Sequence, residues 1–359
     1  RCPWHGWDFD PLTGAPPGGH EDSGQEIYPV GVRDGEVFVG MAAEPAHIRT
    51  TSDVIAETLS AWGVKRIFGM VGHSNLGLAD ALRRRTVDGA MSYVAIRHEG
   101  AAAFAASAYG KLTGKPAACL TIAGPGATNL LTGLWDAKVD RAPVLALTGQ
   151  VQTQVFGPGA FQDIDLSSAF EAVARFSQTV LPSSKHAELA SLACKTALVE
   201  RDVAHLIFPD DVQTIPSDAK AQGPKGRMGA PRIRVPAEDL AAAREMLAGA
   251  RRPFIVMGYG AIDAREEVIA LAEAIGAPVA TTFKGKGLIP DDHPNAAGVL
   301  GRSGTPIASW FMNECDLILS LGSSFANHTG IEPSKPIIQV DFERMQPVSY
   351  THLTLPTMQ

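Results

Sequence analysis

Apolar and polar residues alternate in a regular order through the first half of this chain. After Thr51, apolar residues recur at helical spacing (Ile55, Leu59 and Trp62), and the short apolar run RIFGMV follows, as expected for a buried strand. Further apolar runs, MSYVAI, PAACLTIA and PVLALTGQ, are separated by longer helical segments. This order predicts an α/β domain over residues 48–215 with a doubly wound parallel sheet, which binds ligands beyond the carboxyl ends of its strands.

A second alternation begins at Pro236. The segment VPAEDLAAAREMLAGA predicts a helix, and the strand-like runs FIVMGYGA, LILSLGS and KPIIQVDFE follow with helical segments between them. We therefore expect two doubly wound α/β domains, the second over residues 236–347. Residues 216–235 are rich in Pro, Gly and basic residues, lack periodicity and predict a linker.

The two ends of the chain depart from this pattern. Residues 1–45 are rich in Gly and Pro, and EIYPVGVRDGEVFVG alternates around an Asp-Gly pair, which predicts an antiparallel hairpin. The last twelve residues, VSYTHLTLPTMQ, resemble a sequencing adapter translated as protein. We expect both ends to be cut and leave residues 348–359 out of the predicted fold.

Composition narrows the classes of function. The chain has 359 residues, a net charge of −7 and 45% hydrophobic residues, which argues against nucleic-acid binding and for sizeable cores. No apolar run approaches the roughly 18 residues of a membrane span, and no signal peptide opens the chain. Three of the four cysteines (Cys119, Cys194 and Cys315) lie in apolar segments, so we expect buried thiols and a cytoplasmic location.

Glu99 is the most unusual polar residue of the first domain. It follows a predicted buried strand and opens the apolar helix EGAAAFAASAYGKLTG. A carboxyl group in that position is costly unless it has a partner. Two interpretations stay open on the pattern alone: an acid satisfied by backbone N–H groups at a helix start, or a functional group at the end of a strand.

The segment from Ser92 to Gln150 resembles the pyrimidine-binding domain of thiamine-diphosphate enzymes of the pyruvate oxidase and acetolactate synthase group, along almost its whole length. The resemblance implies that Glu99, in the motif RHE, hydrogen-bonds the aminopyrimidine of thiamine diphosphate and drives it to the imino form. The imino group then removes the proton from C2 of the thiazolium, and the carbanion attacks a 2-keto acid such as pyruvate. The cofactor carries the chemistry, and Glu99 is the expected catalytic residue.

Three further motifs carry the same resemblance. The loop GMVGHSN, with Gly72 and His73, resembles the pyruvate:quinone oxidoreductase version more than the P-G-G loop of acetolactate synthases, although a loop histidine is also commonly a surface residue. Asp163 replaces the commoner Glu of the family's F-Q-E stretch, or alternatively caps a helix. The expected cofactor-binding residues of these motifs are Gly72, His73, Gly124, Pro125, Gly126, Asn129, Phe161 and Gln162.

The second alternation resembles the central domain of the same enzymes, which holds FAD in the flavin-using members. Glycines end nearly every predicted strand, and such turns let a backbone approach a phosphate or a ring, although Gly also ends strands for steric reasons alone. The expected FAD-binding residues are Gly258, Gly301, Arg302, Gly322 and Asp341, the last directed at the adenosine ribose.

The opening CPWHGWDFDPLTG resembles the second half of a Rieske [2Fe–2S] motif. Cys2 and His5 are the expected metal ligands, one from each pair, whereas the first half of the motif has no counterpart here. Half of the ligands cannot hold a cluster, so we expect none in the chain as given.

Together these resemblances predict part of a Rieske-fused 2-keto-acid oxidase that acts on pyruvate, passes electrons through FAD and the cluster to a quinone, and forms a homodimer or homotetramer. The family binds Mg²⁺ and the diphosphate on a third domain, facing Glu99 from another subunit. We find no counterpart of that domain here, so we expect little turnover from the chain alone, and we assign any quinone or membrane contact to a missing region. The alternatives are an acetolactate synthase-type carboligase and a non-catalytic binding module; a dinucleotide-dependent dehydrogenase is disfavoured because no G-x-G-x-x-G follows the first strand.

Overall fold

The first strands of the chain form the hairpin that the Asp-Gly pair predicts. In the computed structural model, β1 (Val30–Arg33) pairs antiparallel with β2 (Glu36–Val39). Asp34 and Gly35 both have positive φ, 52° and 83°, as the two central residues of a type I′ turn require. The structure describes residues 8–10, 12–16, 27–40, 47–229, 235–326, 328–342 and 353–356. It divides into two units, residues 1–228 and 229–359.

The first unit contains a six-stranded parallel sheet in the order β4-β3-β5-β6-β8-β7. Its strands are β3 (Arg66–Gly69), β4 (Ser92–Ala95), β5 (Ala117–Thr121), β6 (Val144–Gln150), β7 (Phe176–Thr179) and β8 (Val203–Pro209). Its helices are α1 (Thr51–Ala61), α2 (Leu76–Val87), α3 (Glu99–Thr113), α4 (Pro125–Thr128), α5 (Leu131–Val139), α6 (Leu166–Phe170), α7 (His186–Val199) and α8 (Asp210–Gln213).

Separate hydrophobic cores cover the two faces of this sheet. Residues of α1, α2 and α7, among them Leu59 and Leu82, pack in one core. Residues of α3, α5 and α6, among them Ala103, Leu134 and Phe170, pack in the other. Helices on both faces of a parallel sheet confirm the predicted doubly wound fold.

The chain reverses its direction across the sheet at β3. From β3 it passes to β4 on one side and then returns to β5 on the other side. Such a topological switch point opens a crevice beyond the carboxyl ends of the two strands, where doubly wound proteins bind ligands. The loops after β3, β4 and β5 therefore define the region in which a site is expected.

Residues 216–222 run along α1 rather than bridging two units freely. The Arg49 guanidinium donates hydrogen bonds to the carbonyls of Ser217 and Ala219, at 2.9 and 2.7 Å. The backbone N–H of Gln222 donates to Oγ1 of Thr58 at 3.3 Å. The first part of the predicted linker is therefore fixed to the first unit.

The second unit contains another six-stranded parallel sheet, in the order β11-β10-β9-β12-β13-β14. Its strands are β9 (Pro253–Met257), β10 (Val279–Thr281), β11 (Ala296–Val299), β12 (Leu317–Leu321), β13 (Ile337–Asp341) and β14 (Leu353–Pro356). The helices α9 (Ala237–Gly249), α10 (Arg265–Ile275) and α11 (Pro306–Glu314) connect them, and two cores again form. The predicted second doubly wound domain is confirmed.

The end of the chain contains one further strand. The sequence analysis leaves residues 348–359 out of the fold, yet Leu353–Pro356 forms an edge strand with four residue pairings to β13. Almost any extended segment can pair its backbone with the edge of a sheet, so the predicted origin of the last twelve residues stays a prediction.

The structure confirms the prediction of three buried thiols. Cys119, Cys194 and Cys315 are free and buried, and burial raises the pKa of Cys119 to about 12. No helix among the described residues has the length and apolar character that a membrane crossing requires.

Candidate active site

The loop after β3 is rigidly held beside the switch point. The side chain of Asn75 accepts a hydrogen bond from the Gly72 N–H and donates one to the Met70 carbonyl, at 2.9 and 3.1 Å. The Ser74 hydroxyl accepts from the Ala123 N–H at 2.8 Å, which fastens this loop to the one after β5. His73 is exposed at the start of the same turn.

Glu99 begins α3 and is only 9% exposed. Its neighbour His98 caps the helix, because Nδ1 of the imidazole accepts a hydrogen bond from the Gly100 N–H at 3.1 Å. The Glu99 carboxylate accepts instead from a side chain, since Nδ2 of Asn129 donates to Oε2 at 2.9 Å. Within the described residues no backbone N–H donates to Glu99, so a helix-start acid held by the backbone is not the arrangement found.

The turn after β5 brings a glycine, Gly126, against this carboxylate. Gly124 adopts φ of 63°, and Pro125 is the first residue of α4. A Cβ atom at Gly126 would lie 3.3 Å from Oε1 of Glu99 and 2.5 Å from Cγ1 of Ile122. Any side chain larger than hydrogen would therefore cover the carboxylate and displace Ile122.

Ile122 also lies against the loop after β3. A Cβ atom at Gly72 would come within 2.5 Å of Cγ2 of Ile122. The branched side chain of Ile122 thus lies between two glycines, each of which the sequence analysis assigns to the cofactor. Gly72 and Gly126 therefore both lie against Ile122, Gly126 also lies against Glu99, and Asn129 is bonded to Glu99.

The segment carrying Phe161 and Gln162 reaches the same turn. A Cβ atom at Gly124 would lie 2.8 Å from Cβ of Gln162, whose own φ is 67°. A non-glycine residue in the left-handed region is uncommon and is found preferentially at functional positions. Phe161 is 88% exposed, so its side chain projects from the unit.

The alternative role of Asp163 as a helix cap is wrong. Helix α6 begins at Leu166, so the capping position falls on Asp165, whose carboxylate accepts from the Ser168 N–H at 3.1 Å. Asp163 instead accepts from the Gly157 N–H at 2.9 Å and closes its own loop. Both aspartates border a cavity of about 380 Å³ at the carboxyl ends of β6, β7 and β8, and Glu99 does not line it.

The predicted residues of the second unit form two separate groups. A Cβ atom at Gly258 would lie 2.1 Å from the Gly322 carbonyl oxygen, so these glycines are required by contact between the loops after β9 and β12. Gly301 and Arg302 lie against His328, and the Arg302 N–H donates to the His328 carbonyl at 3.1 Å. Asp341 ends β13. Contact between protein loops explains these glycines, so their presence does not by itself indicate a flavin site.

The predicted metal ligands Cys2 and His5 lie outside the described residues. Among the residues that are described, no group of three or more His, Cys, Asp or Glu side chains could hold a metal ion. The predicted iron–sulfur site therefore stays a prediction.

Two family models match this chain. Residues 49–169 match the N-terminal TPP-binding domain of thiamine pyrophosphate enzymes, and residues 240–352 match their central domain. An uncharacterised 42.6 kDa protein of Pseudomonas amyloderamosa is 35% identical over 291 residues, which cover 81% of this chain and 73% of that protein. This chain belongs to the thiamine pyrophosphate enzyme family.

Other members of the family are longer. The protein YdaP of Bacillus subtilis, provisionally named as containing thiamine pyrophosphate, is 37% identical over 295 residues, 82% of this chain and 51% of YdaP. The acetolactate synthase isozyme 2 large subunit of Escherichia coli K12 is 33% identical over 312 residues, 84% of this chain and 56% of that subunit. The chain thus spans about half the length of these two curated relatives, and the relatives found are mostly acetolactate synthases.

The sequence analysis singled out Glu99 and the glycine turn but not the residues that hold them in the structure. Ile122, Ser74 and Gln213 were not singled out, although Gln213 donates to the Ser74 carbonyl at 2.8 Å and fixes the loop after β3. A weak signal existed for Asn75 only, because Asn is favoured in turns, where its side chain hydrogen-bonds nearby backbone groups.

Proposed function

We propose that this chain supplies the pyrimidine-activating part of a thiamine-diphosphate enzyme of the acetolactate synthase type. Such an enzyme decarboxylates a 2-keto acid such as pyruvate and joins the remaining fragment to a second 2-keto acid. The observation that carries the proposal is the buried carboxylate of Glu99, which lies against the glycine turn at the switch point with Oε1 on the side of Gly126.

The residues at this place fit the pyrimidine end of the cofactor. Oε1 of Glu99 offers one acceptor for a ring N–H, and the absence of a side chain at Gly126 keeps the turn from covering that oxygen. Ile122 gives the crevice an apolar wall, which limits water around the carboxylate and strengthens a hydrogen bond formed there. When bound, thiamine diphosphate supplies the nucleophilic carbon and the electron sink.

The role of the protein in this step is proton transfer at a fixed position. Glu99 would exchange a proton with the ring nitrogen at Oε1 and hold the resulting N–H by a hydrogen bond, while Asn75 and Gln213 keep the loop after β3 in place. We propose that Mg²⁺ and the diphosphate bind on a facing subunit, as the resemblance given in the sequence analysis implies.

A facing subunit is supported by the outer surface of α3 and α5. Phe104 and Leu112 on α3, and Trp135 and Val139 on α5, are 46%, 86%, 51% and 50% exposed. Large apolar side chains grouped on two adjacent helices are typical of a protein interface. We therefore propose that the protein forms a homodimer or homotetramer through this surface.

The oxidase predicted from the sequence is the second candidate. It is favoured by the loop Gly72–Asn75, which carries His73 as in the pyruvate:quinone oxidoreductase version, and it needs FAD, a [2Fe–2S] cluster and a quinone. The relatives found favour the carboligase, because most of them are acetolactate synthases.

The two candidates differ in one product. The protein expressed from its natural gene is incubated with pyruvate, thiamine diphosphate and Mg²⁺, and acetolactate is measured beside reduction of ferricyanide. Acetolactate without ferricyanide reduction supports the carboligase, whereas reduction without acetolactate supports the oxidase.

Glu99→Gln is the decisive variant in either case. It keeps the shape but loses the proton acceptor, so we expect turnover to fall by roughly 10²–10⁴-fold. Glu188→Gln is the matched control, because Glu188 also lies in the first turn of a helix but is exposed. Equal activity of the Glu99 variant and the control would refute the proposed function.

A further inference from the structure

Asn129 is the described hydrogen-bond partner of the Glu99 carboxylate. It lies at the end of α4, where its backbone N–H donates to the Pro125 carbonyl at 3.1 Å. From there its side chain spans to α3, and Nδ2 donates to Oε2 of Glu99 at 2.9 Å. The two residues are 30 positions apart, so the contact depends on how α3 and α4 pack.

The packing of the two helices is close at this point. A Cβ atom at Gly100 would lie 3.3 Å from the Asn129 carbonyl oxygen, which is tighter than ordinary contact. Gly100 thus lets the start of α3 approach the end of α4. The backbone of Asn129 is held by its own turn, so its amide presents a donor at a defined position.

This geometry makes the two carboxylate oxygens of Glu99 different. Oε2 accepts a hydrogen bond from Asn129, whereas Oε1 lies on the side of Gly126, 3.3 Å from the position that a Cβ atom of that residue would take. A glutamate side chain without such a partner has several rotamers and can present either oxygen. A hydrogen bond to a charged acceptor is stronger than one between neutral groups, so one amide suffices to select an orientation.

We infer that Asn129 is a positioning residue, which holds Oε2 of Glu99 so that Oε1 alone faces the pyrimidine. The inference rests on the proposed function, since it names how the catalytic carboxylate is oriented. In this inference Asn129 acts on Glu99. The sequence analysis expected Asn129 to contact the cofactor directly.

The first test uses the cofactor-free protein expressed from its natural gene. Melting temperatures are compared for the wild type, Asn129→Ala, Glu99→Ala and the double variant. We expect Asn129→Ala to lower the melting temperature of the first unit by about 2–4 °C in the wild type and to have no effect once Glu99 is absent. Equal shifts in both backgrounds would overturn the contact.

The second test measures exchange of the C2 proton of thiamine diphosphate by NMR, together with the dissociation constant of the cofactor. Asn129→Asp keeps the shape of the side chain but replaces the donor by an acceptor that repels Glu99. We expect exchange to slow about tenfold or more in Asn129→Asp and Asn129→Ala, with affinity changed less than about threefold. Thr128→Ala, in the same turn, serves as the control.

The outcomes separate the two hypotheses. Exchange that is lost in Glu99→Gln but normal in Asn129→Asp refutes the positioning role and leaves the proposed function intact. Exchange that is absent in the wild type, or unaffected by Glu99→Gln, refutes both. A loss of affinity as large as the loss of rate would show that Asn129 binds the cofactor itself and would overturn the inference.

Discussion

The ring of His205 stacks on that of Phe170, with centroids 3.8 Å apart and planes 19° from parallel. His205 is completely buried in the middle of β8, and its two nitrogens lie 2.8 Å from the Thr148 hydroxyl on β6 and 2.9 Å from the Ser177 hydroxyl on β7. The imidazole therefore links three neighbouring strands and α6. Burial lowers its pKa to about 3, so it is neutral in the folded protein at ordinary pH.

Acid should destabilise the first unit through this histidine. In the unfolded chain the imidazole takes up a proton as pH falls below about 6.5, whereas the folded state does not until about pH 3. The unfolded state then binds more protons, so the free energy of unfolding decreases as pH falls through this window. At about 1.4 kcal/mol per pH unit, the loss between pH 7 and 4.5 is on the order of 3 kcal/mol.

The measurement is denaturant unfolding of the wild type and His205→Gln at both pH values. His205→Gln should be less stable at pH 7 and should lose less stability at pH 4.5, because it has no imidazole to protonate. His73→Gln, which removes an exposed histidine, is the control. The same acid dependence in His205→Gln as in the wild type would contradict the assignment.

The close approach of Gly126 to Glu99 gives a second prediction. Gly126→Ala would place a methyl group 2.5 Å from Cγ1 of Ile122 and 3.3 Å from Oε1 of Glu99. We expect a small fall in melting temperature and a fall in thiamine-diphosphate-dependent turnover of about tenfold or more, since a side chain would cover the carboxylate.

A double variant separates the two effects. In the double variant, which combines Gly126→Ala with Ile122→Ala, the clash with Ile122 is removed. The methyl group at position 126 still lies beside Oε1 of Glu99. The double variant should therefore keep the low turnover and lose no more stability than Ile122→Ala alone does. Turnover restored to that of Ile122→Ala would show that the displaced isoleucine, and not the covered carboxylate, causes the loss.

Periodicity in the sequence reports local burial, so the sequence predicts the features that depend on it. The alternation of strands and helices, the Asp-Gly hairpin and the place of Glu99 between β4 and α3 depend on local burial and local turns, and all three are found. Contacts between distant loops carry no periodic signal. Neither the bond from Asn129 to Glu99 nor that from Gln213 to Ser74, 139 residues apart, could be read from spacing.

Two differences between the sequence analysis and the structure, the cap of α6 and the contacts of residues 216–222, have physical causes as well. Asp163 and Asp165 are both good capping residues two positions apart, and only the start of α6 at Leu166 decides between them. The predicted linker contains no periodicity, yet Arg49, 168 residues earlier than Ser217, fixes it by hydrogen bonds to carbonyls that any residue offers. Fixation through backbone groups leaves no trace in side-chain composition.

The exposed surface of α3 and α5 gives the last prediction. Trp135 is 51% exposed on α5, so a change there removes little packing within the unit. Trp135→Glu places a charge at the centre of the proposed interface, where a second subunit would have to desolvate it. We expect the variant to be folded but to have a smaller mass in light scattering, with lower turnover because the facing subunit is lost.

Leu240→Glu, at a similarly exposed apolar position on α9, is the control and should keep the mass of the wild type. An unchanged mass in Trp135→Glu would place the subunit contact on another surface.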